Sequence, residues 1–507
     1  MIESHRHRRF SVQLVIVVAS LWACIATVHA APAAPAAPAT AGERPNVVLI
    51  VADDMGFADV GFNGCTDIKT PNIDRLASSG VRLDQWYVQP ICSPTRAALM
   101  TGRYPMRQGL HVGVIRPWSR YGLPLEERTL AQALKDAGYE TAITGKWHLG
   151  HFQPEYLPTR RGFEHQYGHY NGQIEYFEHT REGGFDWHRN DKVNRDEGYS
   201  THLITAEAVK RIEQRDAKRP LFLYVPFNAP HGPHQVPEKY KEPYKNLKEP
   251  RQTYAGMMAA MDEGIGQILD AIEARGIREN TLVLFTSDNG GAEPGKVTNN
   301  GPLKGGKGGL NEGGVRVAAC AAWPGAIPAG GTVTQPLHAV DVYPTVLKLA
   351  GADAKQKLPV DGMDAWATIS AGAAMPRRAI LLNATPANGA IRSGDWKLII
   401  DDRAGVTGVT GAGGDEAEGE DAKSGSARRQ ARQFAAATAD GIGASATMKL
   451  FNLARDPGED KDVAAEHPEK VKELRAAYDQ LAAQAVPPKG GAPRPADFKA
   501  PAVWGEH

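Results

Sequence analysis

Cysteine is scarce in this chain, with four in 507 residues. So low a count excludes a disulfide framework, and a chain of this length builds a core without one. Net charge is absent as well: 58 basic residues balance 58 acidic ones, so charge implies no nucleic-acid-binding surface. An unbroken apolar run long enough for a membrane is also missing. The stretch 12–28 approaches the roughly 18 residues of a span, but Ser, Gln and Thr interrupt it. No stable membrane span is expected.

That stretch has a better reading. His5-Arg6-His7-Arg8-Arg9 forms a basic lead-in, and Val28-His29-Ala30 places small residues ahead of a cut. Residues 1–30 therefore read as a signal peptide, and the protein as secreted or periplasmic. Leu21-Trp22-Ala23-Cys24 offers a weaker alternative, a lipoprotein anchored at Cys24, which the bulky Trp22 argues against. Residues 31–43 are a Pro/Ala linker with no core-forming residues, and the mature domain starts near Arg44.

Four short apolar segments then recur, each running into polar groups. Asn46-Val47-Val48-Leu49-Ile50-Val51 leads to Asp53-Asp54, and Tyr139-Glu140-Thr141-Ala142-Ile143-Thr144 to Gly145-Lys146-Trp147-His148. Leu221-Phe222-Leu223-Tyr224-Val225 leads to Asn228-Ala229-Pro230-His231, and Leu282-Val283-Leu284-Phe285-Thr286 to Ser287-Asp288-Asn289-Gly290. The β-branched run at 46–51 suits a central parallel strand buried on both faces. A helical pattern at 130–137 precedes the second segment, and one at 254–274 has the length of a right-handed crossover. Open α/β sheets bind ligands beyond the carboxyl ends of their strands, so the polar ends point to one site.

Two adjacent carboxylates repel unless a cation lies between them, and a helix cap needs only one Asp. With Asp288 and Asn289, Asp53 and Asp54 make a hard-oxygen donor set suited to calcium or magnesium and not to zinc. Arg96, Lys146 and Lys307 suit a tetrahedral oxyanion. His148 and His231 can move protons near neutral pH. Cys92 opens Cys92-Ser93-Pro94-Thr95-Arg96, at a helix start. One reading is a buried or free thiol before an ordinary helix; the other is a reactive precursor with helix N-terminal amides aimed at bound negative charge.

The C-x-P-x-R pattern, followed by Leu99-Met100-Thr101-Gly102-Arg103, resembles the sulfatase signature. Arg44-Pro45-Asn46, Thr70-Pro71-Asn72-Ile73-Asp74, Gly145-Lys146-Trp147-His148, Ala229-Pro230-His231, Ser287-Asp288-Asn289-Gly290 and Gly306-Lys307 through Glu312-Gly313-Gly314-Val315-Arg316 extend the likeness over most of the mature chain. Together they resemble the type I, formylglycine-dependent sulfatases of the alkaline phosphatase superfamily. Val236-Pro237, Tyr254-Ala255-Gly256-Met257 and Met261-Asp262 look most similar to the arylsulfatase B group, the N-acetylgalactosamine-4-sulfatases.

The resemblance implies an α/β fold: a large mixed, mostly parallel sheet sandwiched by helices at 44–375, with a smaller antiparallel-sheet-plus-helix subdomain at 376–486. It implies one calcium per chain on Asp53, Asp54, Asp288 and Asn289, completed by Cys92 oxidised to formylglycine. Arg96 would stabilise the aldehyde hydrate, and Lys146 and Lys307 would bind sulfate oxygens. His148 would act as base on the hydrate, and His231 would protonate the leaving alcohol. One hydroxyl of the hydrate attacks sulfur; deprotonating the other expels sulfate by C–O cleavage. The implied partners are a sulfate ester, small or saccharide, and a formylglycine-generating maturation enzyme. Two alternatives remain: a phosphodiesterase or phosphonate monoester hydrolase of the same superfamily, and a catalytically silent glycan-binding homologue with unmodified Cys92.

Some residues stand outside the pattern. Lys304 reads as a supporting group, His234 as an exposed side chain, and Cys65 and Cys320 as small buried residues. The segment 339–347 reads as the last helix of the main domain. Strands are expected at 379–383, 390–392, 396–400 and 449–452, and a helix at 469–483. The stretch 402–447 is a low-complexity insertion with almost no large apolar residues and reads as disordered. The tail 487–507 reads as flexible.

Overall fold

The computed structural model describes residues 44–376, 378–385, 388–401 and 447–506. The expected signal peptide, the linker, Cys24 and nearly all of the 402–447 insertion lie outside the described residues.

Asn46–Ala52 is the central strand, and all seven of its residues are buried. Successive side chains of a strand point to opposite faces. Here Val47, Leu49 and Val51 enter one apolar cluster, while Val48, Ile50 and Ala52 enter another. Helices Cys92–Thr101 and Leu130–Asp136 pack into the first cluster, Ser200–Gln214 and Arg251–Ala274 into the second. The expected sheet sandwiched by helices is therefore present.

The sheet has ten strands, in the order Gly331–Val333, Val81–Leu83, Ala319–Ala322, Thr281–Ser287, Asn46–Ala52, Leu221–Pro226, Glu140–Lys146, His165–His169, His188–Arg189, Lys192–Val193. From Thr281–Ser287 to His165–His169 every pair is parallel. The strands flanking that block join it antiparallel.

Register positions the site. Val51 lies opposite Pro226, and Ala52 opposite Ser287, so three central strands stop at one level. The ladder continues a step further: Asp53 N–H donates to Ala229 O and Asp288 N–H to Ala52 O, each at 3.0 Å. Glu140–Lys146 runs two residues beyond its expected end, so Lys146 closes the strand instead of following it. Gly145 makes this possible. Its φ is +132°, and a Cβ there would lie 2.0 Å from Pro226 O, which only glycine avoids.

The C-terminal part is a four-stranded antiparallel meander, Ala379–Ala384, Asn388–Ser393, Trp396–Asp401 and Thr447–Asn452. Helix Pro468–Ala482 buries Leu474 and Tyr478. Two expectations need correction. The segment 339–347 begins as a 3-10 turn, Ala339–Asp341, before helix Val342–Leu349, and a further helix, Trp366–Ala371, follows. The tail is also held where it was expected to be loose. Lys489 N–H donates to Gly109 O at 2.8 Å, and Trp504 Nε1 to Arg181 O at 2.8 Å. Two large aromatics, Phe498 and Trp504, stack at 6.2 Å within a segment dominated by Pro, Gly and Ala. Among the described residues no helix is long and apolar enough to cross a membrane.

Buried Asp262 shows how the long helix fixes a neighbour. Its carboxylate accepts from Asn72 N at 3.1 Å and Ile73 N at 2.8 Å, satisfying the N-terminal amides of helix Pro71–Ser78. Asp262→Ala orphans these donors and is expected to lower stability by about 1–3 kcal/mol. Denaturant titration measures it; an unchanged midpoint would remove this role.

Candidate active site

Beyond the aligned strand ends, carboxylates and cations meet in a buried layer. Asp53 and Asp54 follow Asn46–Ala52, Asp288 and Asn289 follow Thr281–Ser287, and Lys146 ends its own strand. Cys92 and Arg96 come from the first turns of helix Cys92–Thr101. Buried charges persist only when partnered, and these are. Arg96 donates to Asp288 Oδ2 from Nη2 at 2.8 Å and from Nε at 3.1 Å, and lies 3.7 Å from Asp53 Oδ1. Lys146 Nζ donates to Asp53 Oδ2 at 2.5 Å. Lys307 Nζ donates to Asp54 Oδ2 at 2.8 Å and lies 3.0 Å from His231 Nε2.

These neighbours split the carboxylates. Burial, and then the charge of Asp53, raise Asp288 to about 6. Burial pushes Asp54 the same way, but Lys307 and His231 outweigh it and hold it at about 2. Cys92 is the first residue of its helix, with Sγ 3.4 Å from Asp53 Oδ1. Burial and the charge of Asp288 push its thiol well above the ordinary range, against the pull of Lys146 and Lys307. As an unmodified cysteine it is a thiol, not a thiolate nucleophile.

The donor set fits a divalent cation. Ligand atoms of Asp53, Asp54, Cys92 and His231 lie within 4.8 Å of one another. Asp54 N–H reaches Asp288 Oδ1 at 3.3 Å, which ties the second strand end to the first. Asn289 Nδ2 donates to Asp54 Oδ1 at 2.7 Å and Gly290 O at 3.0 Å, leaving its own Oδ1 buried without a hydrogen-bond partner. A buried, unsatisfied carbonyl oxygen beside carboxylates is what a hard cation takes up.

Both histidines are held in place. His148 Nε2 lies 3.0 Å from Ile115 O, its backbone N–H donates to Tyr170 O at 3.0 Å, and Ser93 Oγ donates to its backbone carbonyl at 3.0 Å. Gly172 leaves room for the ring; a Cβ there would meet Cε1 at 2.3 Å. With Nε2 as donor, the basic lone pair of His148 is on Nδ1. His231 is tied the other way, with Nδ1 2.6 Å from Gly232 O, so its Nε2 faces Lys307. Asp54 and His148 both take positive φ, +65° and +55°, a strained conformation that concentrates at functional sites.

Asp53, Asp54, Cys92, Arg96, Lys146, His231, Asp288, Asn289 and Lys307 thus form one connected cluster, and His148 joins it through Ser93. Several supports escaped sequence reasoning. Asp59 accepts from Tyr254 Oη at 2.8 Å, Arg251 Nη1 at 2.8 Å and Asn299 N at 3.0 Å, and Asn300 Oδ1 accepts from Phe57 N at 3.2 Å and Gly291 N at 3.0 Å. Apart from the Gly291–Asn300 contact, they join segments roughly 200 residues apart, for which one sequence carries no signal. His234 is half-buried, edge-on to Tyr254. Cys65 is also half-buried, where a buried residue was expected; Cys320 is buried, and both are free thiols.

A large, mostly parallel sheet covered by helices on both faces, with a small C-terminal antiparallel sheet, is the alkaline-phosphatase-like class of fold. Within it, the chain belongs to the sulfatase family, whose model matches residues 45–352. Arylsulfatase J of Mus musculus is 39% identical over 368 residues, a match spanning 70% of this chain and 61% of that protein. N-acetylgalactosamine-6-sulfatase of Mus musculus is 36% identical, spanning 66% of this chain and 68% of the relative. The crystal structure of Ps i-CgsB in complex with k-i-k-neocarrahexaose superposes with a TM-score of 0.74 at 32% identity, covering 88% of this chain and 94% of the other.

Removing one partner of a buried ion pair is strongly destabilising. Arg96→Met leaves Asp53 and Asp288 without their guanidinium and is expected to cost about 3–5 kcal/mol in metal-free protein. Added calcium should restore part of that loss, as thermal unfolding with calcium and with chelator would show. Equal losses under both conditions would contradict a shared cation.

Proposed function

We propose that this protein is a secreted or periplasmic calcium-dependent sulfatase. It hydrolyses a sulfate ester, of a sugar in its natural substrate, to an alcohol and inorganic sulfate. The observation that carries this reading is the placement of Cys92: first in a buried helix, 3.4 Å from Asp53, among Arg96, Lys146 and Lys307, in a chain of the sulfatase family. Cys92 is read as the precursor of formylglycine, made by a maturation enzyme. The oligosaccharide bound by Ps i-CgsB supports a sugar substrate.

Asp53, Asp54, Asp288 and Asn289, with residue 92, would hold the calcium ion, which supplies positive charge beside the ester. The charges of Asp53, Asp54 and Asp288 cancel those of Arg96, Lys146 and Lys307, so a divalent cation leaves the site positive and favours an anionic ester. Formylglycine, when hydrated, supplies a nucleophilic hydroxyl and a second hydroxyl that lets sulfate depart by C–O cleavage.

The chain's own residues do the rest. Lys146 and Lys307, now on carboxylates at 2.5 and 2.8 Å, turn to sulfate oxygens when the ester binds. Arg96 opposes the rise at Asp288, aligns Asp288 and Asp53 beside residue 92, and stabilises the hydrate. His148, with its lone pair on Nδ1, takes the proton from residue 92. His231, fixed at Nδ1 by Gly232 O, carries on Nε2 the proton given to the bridging oxygen as the alcohol leaves.

Mass spectrometry of the Cys92 peptide from protein made in its native host is expected to show the loss of mass of thiol-to-aldehyde conversion. An intact thiol in active protein would refute the mechanism. General acid catalysis contributes about 10²–10⁴-fold. His231→Ala should therefore cost that much with alkyl or sugar sulfates and far less with esters of acidic phenols. Equal losses on both would remove His231 from the role of acid.

A further inference from the structure

Lys307 rides on a glycine-rich loop whose internal backbone bonds are short turns, Gly309 N–H on Gly306 O and Gly314 N–H on Asn311 O, each at 2.9 Å. Residues 305–314 contain six glycines, the residue that loses most conformational freedom on ordering. Its outer part leans on the active site: Lys307 N–H donates to Gly291 O at 3.2 Å and Gly308 N–H to Pro90 O at 2.8 Å. Those acceptors lie two residues from Asn289 and from Cys92. Its base is closed by Gly313 N–H on Lys304 O at 2.8 Å.

Gly290 N–H on Gly314 O at 3.0 Å and Asn300 Nδ2 on Gly305 O at 3.1 Å tie the base to the catalytic sheet, and it is gripped from outside that sheet as well. Glu459 follows the last strand of the C-terminal meander. Its Oε2 accepts from Glu312 N at 2.6 Å, and its carbonyl accepts from Lys304 Nζ at 3.1 Å. One residue therefore holds both ends of the loop. Glu459 is held in turn by Lys397, on the third meander strand, whose Nζ lies 2.9 Å from Glu459 Oε1 and 2.9 Å from Glu312 Oε1. Tyr87 Oη donates to the other Glu312 oxygen at 2.6 Å. The side chains of Glu312, Lys397 and Glu459 are 0% exposed, and Glu459 takes φ +56° to reach its place. A buried ion pair adds little stability over apolar packing, so this trio matters for the geometry it imposes.

We propose that Glu459 is a positioning residue for Lys307, so that the C-terminal meander forms part of the catalytic apparatus. It acts through the 304–314 loop and touches neither substrate nor metal. The proposal rests on the sulfatase reading for its kinetic consequence, but its structural consequence does not depend on it.

The test is a double-mutant cycle on hydrolysis of an aryl sulfate, paired with hydrogen exchange. Misplacing a catalytic group by about 1 Å costs up to about 100-fold, so Glu459→Ala is expected to lower kcat/KM about 10- to 100-fold. Glu459→Gln keeps an acceptor for Glu312 N–H and should recover most of that. In a Lys307→Ala background, Glu459→Ala should cost under about 3-fold, because coupled residues are not additive. Amide exchange at 304–314 should rise in Glu459→Ala while the central strands keep their protection. Lys304→Met, at an exposed position, removes only the second tie and should give a smaller effect in the same direction. The same fold-loss in both backgrounds, or unchanged exchange at 304–314, would overturn the proposal. Wild-type protein inert on aryl sulfates but with exchange behaving as stated would instead refute the sulfatase reading alone.

Discussion

Buried carboxylates have to be neutralised, and most of what is particular to this chain follows from that constraint. Asp53, Asp54 and Asp288 are buried, and burial pushes Asp54 and Asp288 toward their protonated forms. Arg96, Lys146 and Lys307 supply the opposing charge from a helix, a strand end and a glycine-rich loop. Each cation stabilises the resting layer, and on the proposed reading Lys146 and Lys307 also take up the sulfate oxygens.

The sheet makes such a layer possible. Parallel strands stop in register, and the backbone ladder carries Asp53 and Asp288 one step beyond them. Strands buried on both faces cannot shift by a residue without exchanging their clusters, so the ligand positions inherit the rigidity of the core. The histidines are set by contacts of similar exactness, one ring pressed on Gly172 and the other tied to Gly232. The Lys307 loop is the exception, and it is there that the C-terminal meander intervenes.

Much of this was legible in the residue order. Apolar runs ending in Asp-Asp, Lys-Trp-His, Pro-His and Asp-Asn announced parallel strands with a polar rim, and Cys92 with Arg96 announced the helix that completes it. What stayed hidden was of two kinds. Asp59 with Tyr254, Phe57 with Asn300, and Glu459 with Glu312 are pairings between distant segments, which no local pattern encodes. The tail misled for a different reason: its Pro, Gly and Ala content suggested looseness, whereas Phe498 and Trp504 supply the aromatic area that holds it. The end of the strand at Lys146 was missed because glycine at 145 looks like a terminator, and here it serves a close backbone approach.

The central claim is that this layer, with an aldehyde at position 92, is built to release sulfate. The most direct measurement compares kcat/KM for an aryl sulfate and for an aryl phosphodiester on one preparation whose residue 92 has been shown to be converted. The account predicts a clear preference for the sulfate, lost on replacing Cys92 with alanine. A preference for the diester, or sulfate hydrolysis that survives Cys92→Ala, would contradict it.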